Sequence, residues 1–404
     1  MSTLALNAGS TSLKFGLFEE ATADPLLAGE IDWAHGDREH AQLVLHPRQG
    51  AVTRSTVSVP KDEAAAAFAV QATLATLAPR QAGNSAIQAV GHRVVHGGTD
   101  FRQSVRIDST VKTAIGRLCD LAPLHNPPAL KAIQAAEAAL PGVPQVAVFD
   151  TAFYTDLPPK TYLFALPYEW YANWGIRRFG FHGISHAYCA SRTAEILGRD
   201  PAQLRLVSCH LGGGCSATAI RGGVAVATTM GFSPLEGLPM GSRCGSVDPG
   251  LLLYLQRERG LTLQELDHAL THQSGLRGVS GLSADLAKIE VAAAQGHERS
   301  QLAFDMFAER VRSAIGALAA SLGGLDAVIF TDRIGERSPA LRSAACKGLE
   351  FIGLHLDPQR NTQAQPDADV ATPESRARVL VIHTREELMV AREARRVAEG
   401  RSAT

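Results

Sequence analysis

The sequence predicts an α/β protein built from two similar domains, and three features support that prediction. Apolar residues alternate with period two on both sides of a small-residue turn in residues 4–17, as in two strands joined by a turn. A similar element occupies residues 207–228, about two hundred residues later, around the turn Gly212-Gly213-Gly214. Apolar strands at 146–149 and 327–330 run into polar loops, as parallel strands do before a ligand site. We therefore expect a duplicated domain whose two turns face each other across a cleft.

The segments between these strands favour helices. Residues 61–77 are rich in alanine, and residues 127–140 begin with prolines, which helices tolerate in their first turn. Residues 185–197 and 301–322 are amphipathic, and the second of these ends at Gly323-Gly324. The polar segment 366–378 is predicted to be a surface loop.

Composition limits the kinds of partner. The chain has 404 residues, enough for two or three domains, with 39 Lys and Arg against 40 Asp and Glu. This balance provides no basic surface for nucleic acid and no polybasic membrane patch. The six cysteines form no C-x-x-C pair, and no signal peptide or long apolar run is visible. We expect a cytoplasmic protein that binds neither nucleic acid nor a membrane.

The first turn lies in LNAGSTSLKFGLF, residues 6–18. Small hydroxylated residues in a turn often hold phosphate, but a P-loop runs into a helix whose N-terminal amides bind the ligand. Here a strand follows the turn, so a hairpin with a polar tip is predicted instead.

Four glycine-flanked or strand-ending clusters carry the candidate catalytic residues, which are Arg93, Asp150, His182 and Arg243. Taken alone, Asp150 is a helix N-cap candidate, and an arginine in a loop is most often a solvated charge. His182 and His186 have the spacing of a zinc pair, but no third ligand is suitably placed. Together, two arginines, a histidine, an aspartate and glycine turns suit phosphoryl transfer, because cations must offset the charge on the moving phosphoryl group.

The order and spacing of the longer motifs resemble those of the acetate kinase family over nearly the whole chain. The motifs are NAGSTSLK, GHRVVHGG, HNPP, FDTAF, RRFGFHGISH, HLGGG, GFSPLEGLPMGSR, SGLRGVSG, IGE and EELMVARE. That family belongs to the superfamily of acetate and sugar kinases, Hsp70 and actin. The resemblance implies two ribonuclease-H-like domains with a duplicated ββαβαβα-type core around a central cleft. The N-terminal domain would comprise residues 1–150 with a returning helix at 386–404, and the nucleotide-binding domain residues 151–385.

The resemblance also implies roles for individual residues. Arg93 would bind the acyl carboxylate, Asp150 would be the catalytic aspartate, and His182 and Arg243 would stabilise the transition state. Asn7 and Glu386 would hold Mg²⁺, or alternatively Mn²⁺, although the adjacent Glu387 is not separated from Glu386 by sequence. The apolar pocket for the acyl methyl would contain Val95, Leu124, Phe181 and Pro234. The nucleotide positions would be Ser10, Ser12, Lys14, His210, Leu211, Gly212, Gly213, Gly214, Asp285, Leu286, Ala287, Arg333, Ile334, Gly335, Glu336 and Arg337.

The activity implied is reversible, direct in-line transfer of the ATP γ-phosphoryl group to acetate, giving acetyl phosphate and ADP, by a homodimer. A carboxylate acceptor is already ionised at neutral pH, since carboxyl pKa values lie near ~4, and it needs no general base. We therefore give Asp150 an orienting or metal-side role rather than deprotonation.

The nucleotide half departs from the family pattern. Gly213 replaces an asparagine, Ala287 an arginine, Arg333 a glycine and Arg337 an asparagine. Arg333 could pair with Asp332 and leave ATP bound normally. It could instead fill the adenosine pocket and favour pyrophosphate as donor. Two further hypotheses are propionate as acceptor and a non-catalytic metabolite sensor on the same fold, and the joint presence of the transition-state residues argues against the sensor.

Overall fold

The computed structural model describes residues 2–9, 12–20, 22–33, 38–59, 61–77 and 87–401. The chain divides into two compact units. The first unit comprises residues 1–155 and 385–404, and the second comprises residues 156–384. All six cysteines are free thiols. Within the described ranges, no helix is both long and apolar enough to cross a membrane.

The first unit contains an eight-stranded sheet in the order β5-β4-β3-β2-β1-β6-β8-β7. Strands β1 to β5 form an antiparallel meander, and β6 and β8 lie parallel to β1. The strands are β1 Ser2–Ala8, β2 Ser12–Glu19, β3 Leu27–Asp32, β4 Ala41–Pro47, β5 Thr53–Val57, β6 Ile87–Val94, β7 Val105–Arg106 and β8 Gln145–Phe149.

The second unit contains a six-stranded sheet in the order β11-β10-β9-β12-β14-β13. Strands β9, β10 and β11 are antiparallel neighbours, and β12 and β14 continue the sheet parallel to β9. The strands are β9 Arg205–Leu211, β10 Cys215–Arg221, β11 Val224–Thr228, β12 Ala327–Thr331, β13 Ala368–Asp369 and β14 Arg378–Val381. Five strands therefore repeat in the same order and direction in both units, which confirms the predicted duplication. Each core begins with three antiparallel strands, one more than the ββαβαβα pattern contains.

Fifteen α-helices are distributed along the described chain. They are α1 Asp62–Leu77, α2 Ser109–Arg117, α3 Asn126–Ala139, α4 Pro159–Tyr162, α5 Tyr168–Trp174, α6 Gly183–Leu197, α7 Pro249–Arg259, α8 Leu263–His272, α9 Gly275–Ser280, α10 Leu286–Ala294, α11 Glu298–Leu322, α12 Asp332–Arg337, α13 Pro339–Cys346, α14 Pro358–Thr362 and α15 Glu386–Ala398. The four helices predicted from sequence correspond to α1, α3, α6 and α11, with small shifts at their starts.

The core of the first unit explains why α1 is rich in alanine. Ala65, Ala66 and Ala69 are fully buried in one apolar cluster with β1, β2 and α3. Small side chains let the helix lie close to the sheet, and burial of the larger Val70 adds about 1.5–3 kcal/mol of hydrophobic stabilisation. Strand β1, which carries Asn7 near its end, is thereby packed against α1 and α3.

The predicted surface loop at 366–378 is wrong in part. Val370 and Ala371 are buried, and β13 pairs with β14 in an antiparallel register. The polar residues around them hide this from composition, because Ala377 is the only further buried apolar residue of this segment.

Candidate active site

The first unit brings four predicted site residues together. The side chain of Asp150, at the end of β8, is 0% exposed, and its Oδ2 accepts hydrogen bonds from Arg93 Nε at 3.1 Å and Nη2 at 2.6 Å. Arg93 lies on β6, which neighbours β8 in the sheet. Its Nη1 donates to Asn7 Oδ1 at 3.1 Å, and Glu386 Oε2 lies 3.6 Å from the same nitrogen. The guanidinium is therefore fixed from three directions.

A glycine places the two C-terminal glutamates at this cluster. A Cβ at position 91 would lie 2.7 Å from Val390 Cγ1 and 2.8 Å from the Val390 carbonyl oxygen. Because Gly91 has no side chain, α15 can lie directly against β6. The start of that helix then carries Glu386 and Glu387 to Asn7, whose Nδ2 donates to both carboxylates at 3.2 Å.

The electrostatics of this cluster favour a permanent positive charge on Arg93. Burial lowers the pKa of its guanidinium, but the carboxylates of Asp150, Glu386 and Glu387 outweigh that effect and raise the pKa above its ordinary value. The neighbouring His92 behaves differently, because burial lowers its pKa to about 4. Its Nε2 lies 2.8 Å from Gln145 Oε1 and must be the donor, since the amide oxygen only accepts.

The oxygen donors around Asn7 fit a hard divalent cation. Two carboxylates converge on the Asn7 side chain, so several oxygen atoms lie close together there. Mg²⁺ and Mn²⁺ prefer oxygen ligands, and Mg²⁺ is usually bound by one or two carboxylates together with water and phosphate oxygens. Among the described residues, no group of three or more His, Cys, Asp or Glu side chains is arranged to hold a metal. The cation would therefore depend on the substrate phosphates for part of its coordination.

Among the described residues, the other predicted ones of the first unit lie in β2 or in loops. Lys14 lies directly opposite Asn7 in the β1–β2 register, and Ser12 begins β2. Val95 is buried, whereas Leu124 is 46% exposed. Ser10 lies outside the described residues.

The second unit brings His182 and Arg243 together. A Cβ at position 214 would lie 3.1 Å from His182 Nε2 and 3.6 Å from Arg243 Nη1, so both groups border the space over Gly214. His182 precedes α6 with the left-handed backbone angles φ 58° and ψ 26°, which cost a non-glycine residue about 1–2 kcal/mol. Arg243 Nη1 donates to the Pro234 carbonyl at 2.9 Å, and burial lowers the pKa of the guanidinium. An imidazole nitrogen and a guanidinium nitrogen therefore border one point, and strain of this kind clusters at functional sites.

The other predicted residues of this unit lie in two places. Residues 210–214 form the turn between β9 and β10, where the Gly212 amide donates to the Gly214 carbonyl at 3.0 Å. Residues 285–287, Arg333, Ile334 and Arg337 line a cavity of about 130 Å³, with Asp285 capping α10 through the Ala287 amide. Gly335 and Glu336 lie between them in α12. Phe181 is buried and Pro234 is half-buried.

Three comparisons place the chain among known proteins. Residues 2–392 match the sequence profile of the Acetokinase family. An acetate kinase from Gloeobacter violaceus is 50% identical, over 97% of this chain and 98% of that protein. The crystal structure of Porphyromonas gingivalis acetate kinase has a TM-score of 0.88 at 38% identity, covering 98% of this chain and 99% of that one. A Francisella tularensis propionate kinase structure also has a TM-score of 0.88, at 32% identity, covering 98% and 99%.

The chain belongs to the acetokinase family. It is therefore a kinase, and the two-domain fold expected from the actin, Hsp70 and sugar kinase resemblance is confirmed.

The departures from the acetokinase pattern occupy defined positions in the second unit. Arg333 Nη2 lies 3.8 Å from Asp285 Oδ1, across the cavity lined by both residues. The Asp332 Oδ2 lies 3.3 Å from His210 Nε2. A Cβ at position 212 would come within 1.6 Å of that carboxylate oxygen, so this conformation of Asp332 requires Gly212. A carboxylate thus covers the acetokinase glycine turn, while the Arg333 guanidinium borders the neighbouring cavity.

Two largely buried arginines that support this acetokinase site were missed by sequence reasoning. Arg178 donates to the carbonyls of Thr229 and Met230 and pairs with Glu236 at 2.8 Å, which secures the loop leading to Arg243. The fully buried Arg342 donates to the carbonyls of residues 335 and 336 at 2.8 and 2.9 Å. The only sequence signal for Arg178 is its position beside a glycine-rich motif. Nothing in the sequence marks Arg342.

Proposed function

We propose that this chain catalyses reversible transfer of the ATP γ-phosphoryl group to the carboxylate of acetate, giving acetyl phosphate and ADP. Family membership supports a phosphotransferase, and one observation supports a carboxylate acceptor. Arg93 is a permanently charged guanidinium that Asp150 and Asn7 fix in position, and a planar guanidinium binds a carboxylate bidentately.

The transfer needs no general base. A carboxylate oxygen of acetate forms the new bond to the γ-phosphorus as the bond to the β–γ bridging oxygen breaks, and ADP leaves with that bond's electron pair. Since acetate is already ionised at neutral pH, no proton has to be removed. Asp150 therefore acts by holding Arg93, whose charge offsets the repulsion between acetate and the phosphoryl oxygens.

The second unit supplies donors for the phosphoryl group. Negative charge spreads over the equatorial oxygens in the transition state, and fixed donors stabilise it more than they stabilise the ground state. His182 Nε2 and Arg243 Nη1 border the same space over Gly214 and suit this role. ATP would take the neighbouring cavity of about 130 Å³ for its nucleoside.

Asn7, Glu386 and Glu387 would hold the divalent cation, for which we propose Mg²⁺ with Mn²⁺ as a substitute. When bound, such a cation would supply positive charge that offsets part of the negative charge on the phosphate oxygens. We further propose, from the family resemblance, a cytoplasmic homodimer, which light scattering of the 42.9 kDa chain would test by giving twice that mass.

Isotope transfer tests the reaction. With acetate labelled by ¹⁸O in both carboxyl oxygens, the oxygen that bridges carbon and phosphorus in the product must carry the label. We expect the ³¹P signal of acetyl phosphate to show the upfield shift of one ¹⁸O–P bond. A product without label at phosphorus would mean that the phosphorus–oxygen bond did not come from acetate and would contradict the proposal.

A further inference from the structure

A buried chain of hydroxyl and imidazole groups extends from His182 into the second unit. Ser216 Oγ lies 2.9 Å from His182 Nδ1 and 2.9 Å from His186 Nε2. His186 Nδ1 lies 2.8 Å from Ser208 Oγ. Ser208, Ser216 and His186 are all 0% exposed, so water does not compete for these hydrogen bonds. We call these three residues the relay.

The fold explains why the relay can form. His182 precedes α6, and His186 lies one turn later on the same face, since residues four apart are neighbours on a helix. Ser208 on β9 and Ser216 on β10 come from adjacent antiparallel strands. Both hydroxyls therefore reach the helix from the sheet beneath it.

The state of His186 limits how protons are arranged. Burial lowers its pKa well below the ordinary value, and the nearby His210 lowers it further. A neutral imidazole has one N–H donor and one acceptor nitrogen, and a serine hydroxyl has a single proton. A serine oxygen can also accept two hydrogen bonds, so three arrangements satisfy every contact in the relay.

In the first arrangement, Ser208 donates to His186 Nδ1, His186 Nε2 donates to Ser216, and Ser216 donates to His182 Nδ1. A neutral His182 then carries its proton on Nε2. In the second arrangement each donor is reversed, and in the third Ser216 accepts from both His186 Nε2 and His182 Nδ1. In both of these a neutral His182 presents a lone pair at Nε2. A lone pair facing a phosphoryl oxygen would be repulsive.

The charged surroundings of His182 favour a neutral ring, and an anionic phosphoryl group in the space over Gly214 would favour the first arrangement. Arg243 Nη1 is a fixed positive charge bordering the same space as His182 Nε2. The His210 ring stacks on the His182 ring at 4.1 Å between centroids, and the Asp332 carboxylate lies beyond it, 3.3 Å from His210 Nε2. A neutral His182 with its proton on Nε2 adds a donor without adding a second cation beside Arg243.

We propose that Ser216, supported by His186 and Ser208, is a positioning residue that holds His182 as the Nε2–H tautomer, so that the neutral ring donates to the transferring phosphoryl group. This inference rests on the proposed function for the identity of the acceptor oxygen. Ser216 is a third residue beside His182 and Arg243, and the relay then contributes to catalysis as well as to packing.

The wild-type chain provides a direct spectroscopic test. Long-range ¹H–¹⁵N correlation of ¹⁵N-histidine-labelled protein distinguishes the two neutral tautomers, and His182→Gln identifies the resonance. We expect the Nε2–H pattern at pH 7.5. An Nδ1–H pattern would overturn the proposal, and because this readout needs no turnover, it is independent of the proposed activity.

Kinetics of Ser216→Ala provide the second test. We expect kcat to fall by about tenfold to a hundredfold, which is at most the effect of removing one transition-state donor completely. KM for both substrates should stay within about threefold of the wild-type value. The remaining kcat should rise as pH falls, since a protonated His182 donates from Nε2 whatever its tautomer. Ser208→Ala should change kcat in the same direction but less, because the Ser216 hydroxyl remains.

A matched control lies on the same helix as His186. Thr193 is also fully buried, and its hydroxyl donates to the Cys189 carbonyl at 2.7 Å. Thr193→Val should leave kcat and its pH profile unchanged. Equal losses in Ser216→Ala and Thr193→Val, with parallel pH profiles, would show a packing effect and overturn the proposal. If wild-type protein makes no acetyl phosphate, the proposed function fails while the tautomer measurement still stands.

Discussion

Neutralising Asp150 should weaken the protein far more than neutralising an exposed carboxylate with the same ion-pair geometry. The first unit contains both cases. Arg93 and Asp150 are 2.6 Å apart with the aspartate 0% exposed, and Lys112 and Glu137 are 2.7 Å apart with both side chains about 30% exposed. Asp150→Asn and Glu137→Gln each remove one negative charge and keep the side-chain shape.

The structure sets the size of the difference. At 2.6 Å and an effective dielectric constant near 20, the gross attraction between Arg93 and Asp150 is about 6 kcal/mol. The net loss is smaller for three reasons: asparagine keeps one acceptor for the guanidinium, its burial carries no cost of desolvating a charge, and Arg93 keeps its contact with Glu386. We therefore expect the free energy of unfolding to fall by about 2–3 kcal/mol. The exposed Lys112–Glu137 pair should contribute less than about 1 kcal/mol.

Urea titration of the two variants measures the free energy of unfolding, and acetyl phosphate formation measures the function. A displaced Arg93 should lower kcat/KM for acetate about a hundredfold in Asp150→Asn, since small misplacements of a positioning group cost this much. Glu137→Gln should retain wild-type kcat/KM. Equal stability losses in both variants, or near-normal turnover by Asp150→Asn, would refute the assignment of Asp150 as the residue that fixes Arg93.

Three further outcomes are expected. Because burial lowers the pKa of His92 to about 4, the unfolded chain takes up a proton first as the pH falls below about 6.5, and stability should drop by about 2 kcal/mol between pH 8 and pH 5. His92→Gln, which can still donate to Gln145, should reduce that slope in urea titrations at several pH values, and an unchanged slope would contradict the assignment. Arg333→Gly should remove the contact with Asp285 and lower KM for ATP about threefold to tenfold at constant kcat, whereas a raised KM would show that Arg333 itself binds the nucleotide. Arg243→Lys should lower kcat at least about a hundredfold, because a lysine is a point charge without the planar fork, and a loss in KM alone would place Arg243 in ground-state binding.

The sequence predicted the strands best where they are buried. Strands β1, β2, β9 and β10 are almost entirely buried, so residues 4–17 and 207–228 consist largely of apolar and small side chains outside their turns. Strands β4 and β5 were not predicted, and four of the five residues of β5 are exposed. Without a buried face, a strand leaves little periodic signal.

The site residues were found singly, but their partners were not. Arg93 and Asp150 were assigned separate roles, and only the parallel register of β6 and β8 shows that they form one pair. The ion pair of Arg333 with Asp285 was not predicted either, because the packing of α10 near α12 brings these distant residues together. Contacts between distant segments depend on how helices lie on the sheet, and local patterns do not contain that information.

The most direct test of the account is acyl phosphate formation from acetate and Mg²⁺, trapped with hydroxylamine, with ATP and pyrophosphate compared as donors. We predict rapid hydroxamate formation with ATP, little with pyrophosphate, and loss of the ATP-dependent rate in Arg93→Ala. Turnover with pyrophosphate alone would contradict the donor assignment and show that Arg333 excludes the nucleoside. No hydroxamate with either donor would contradict the central claim that this chain phosphorylates acetate.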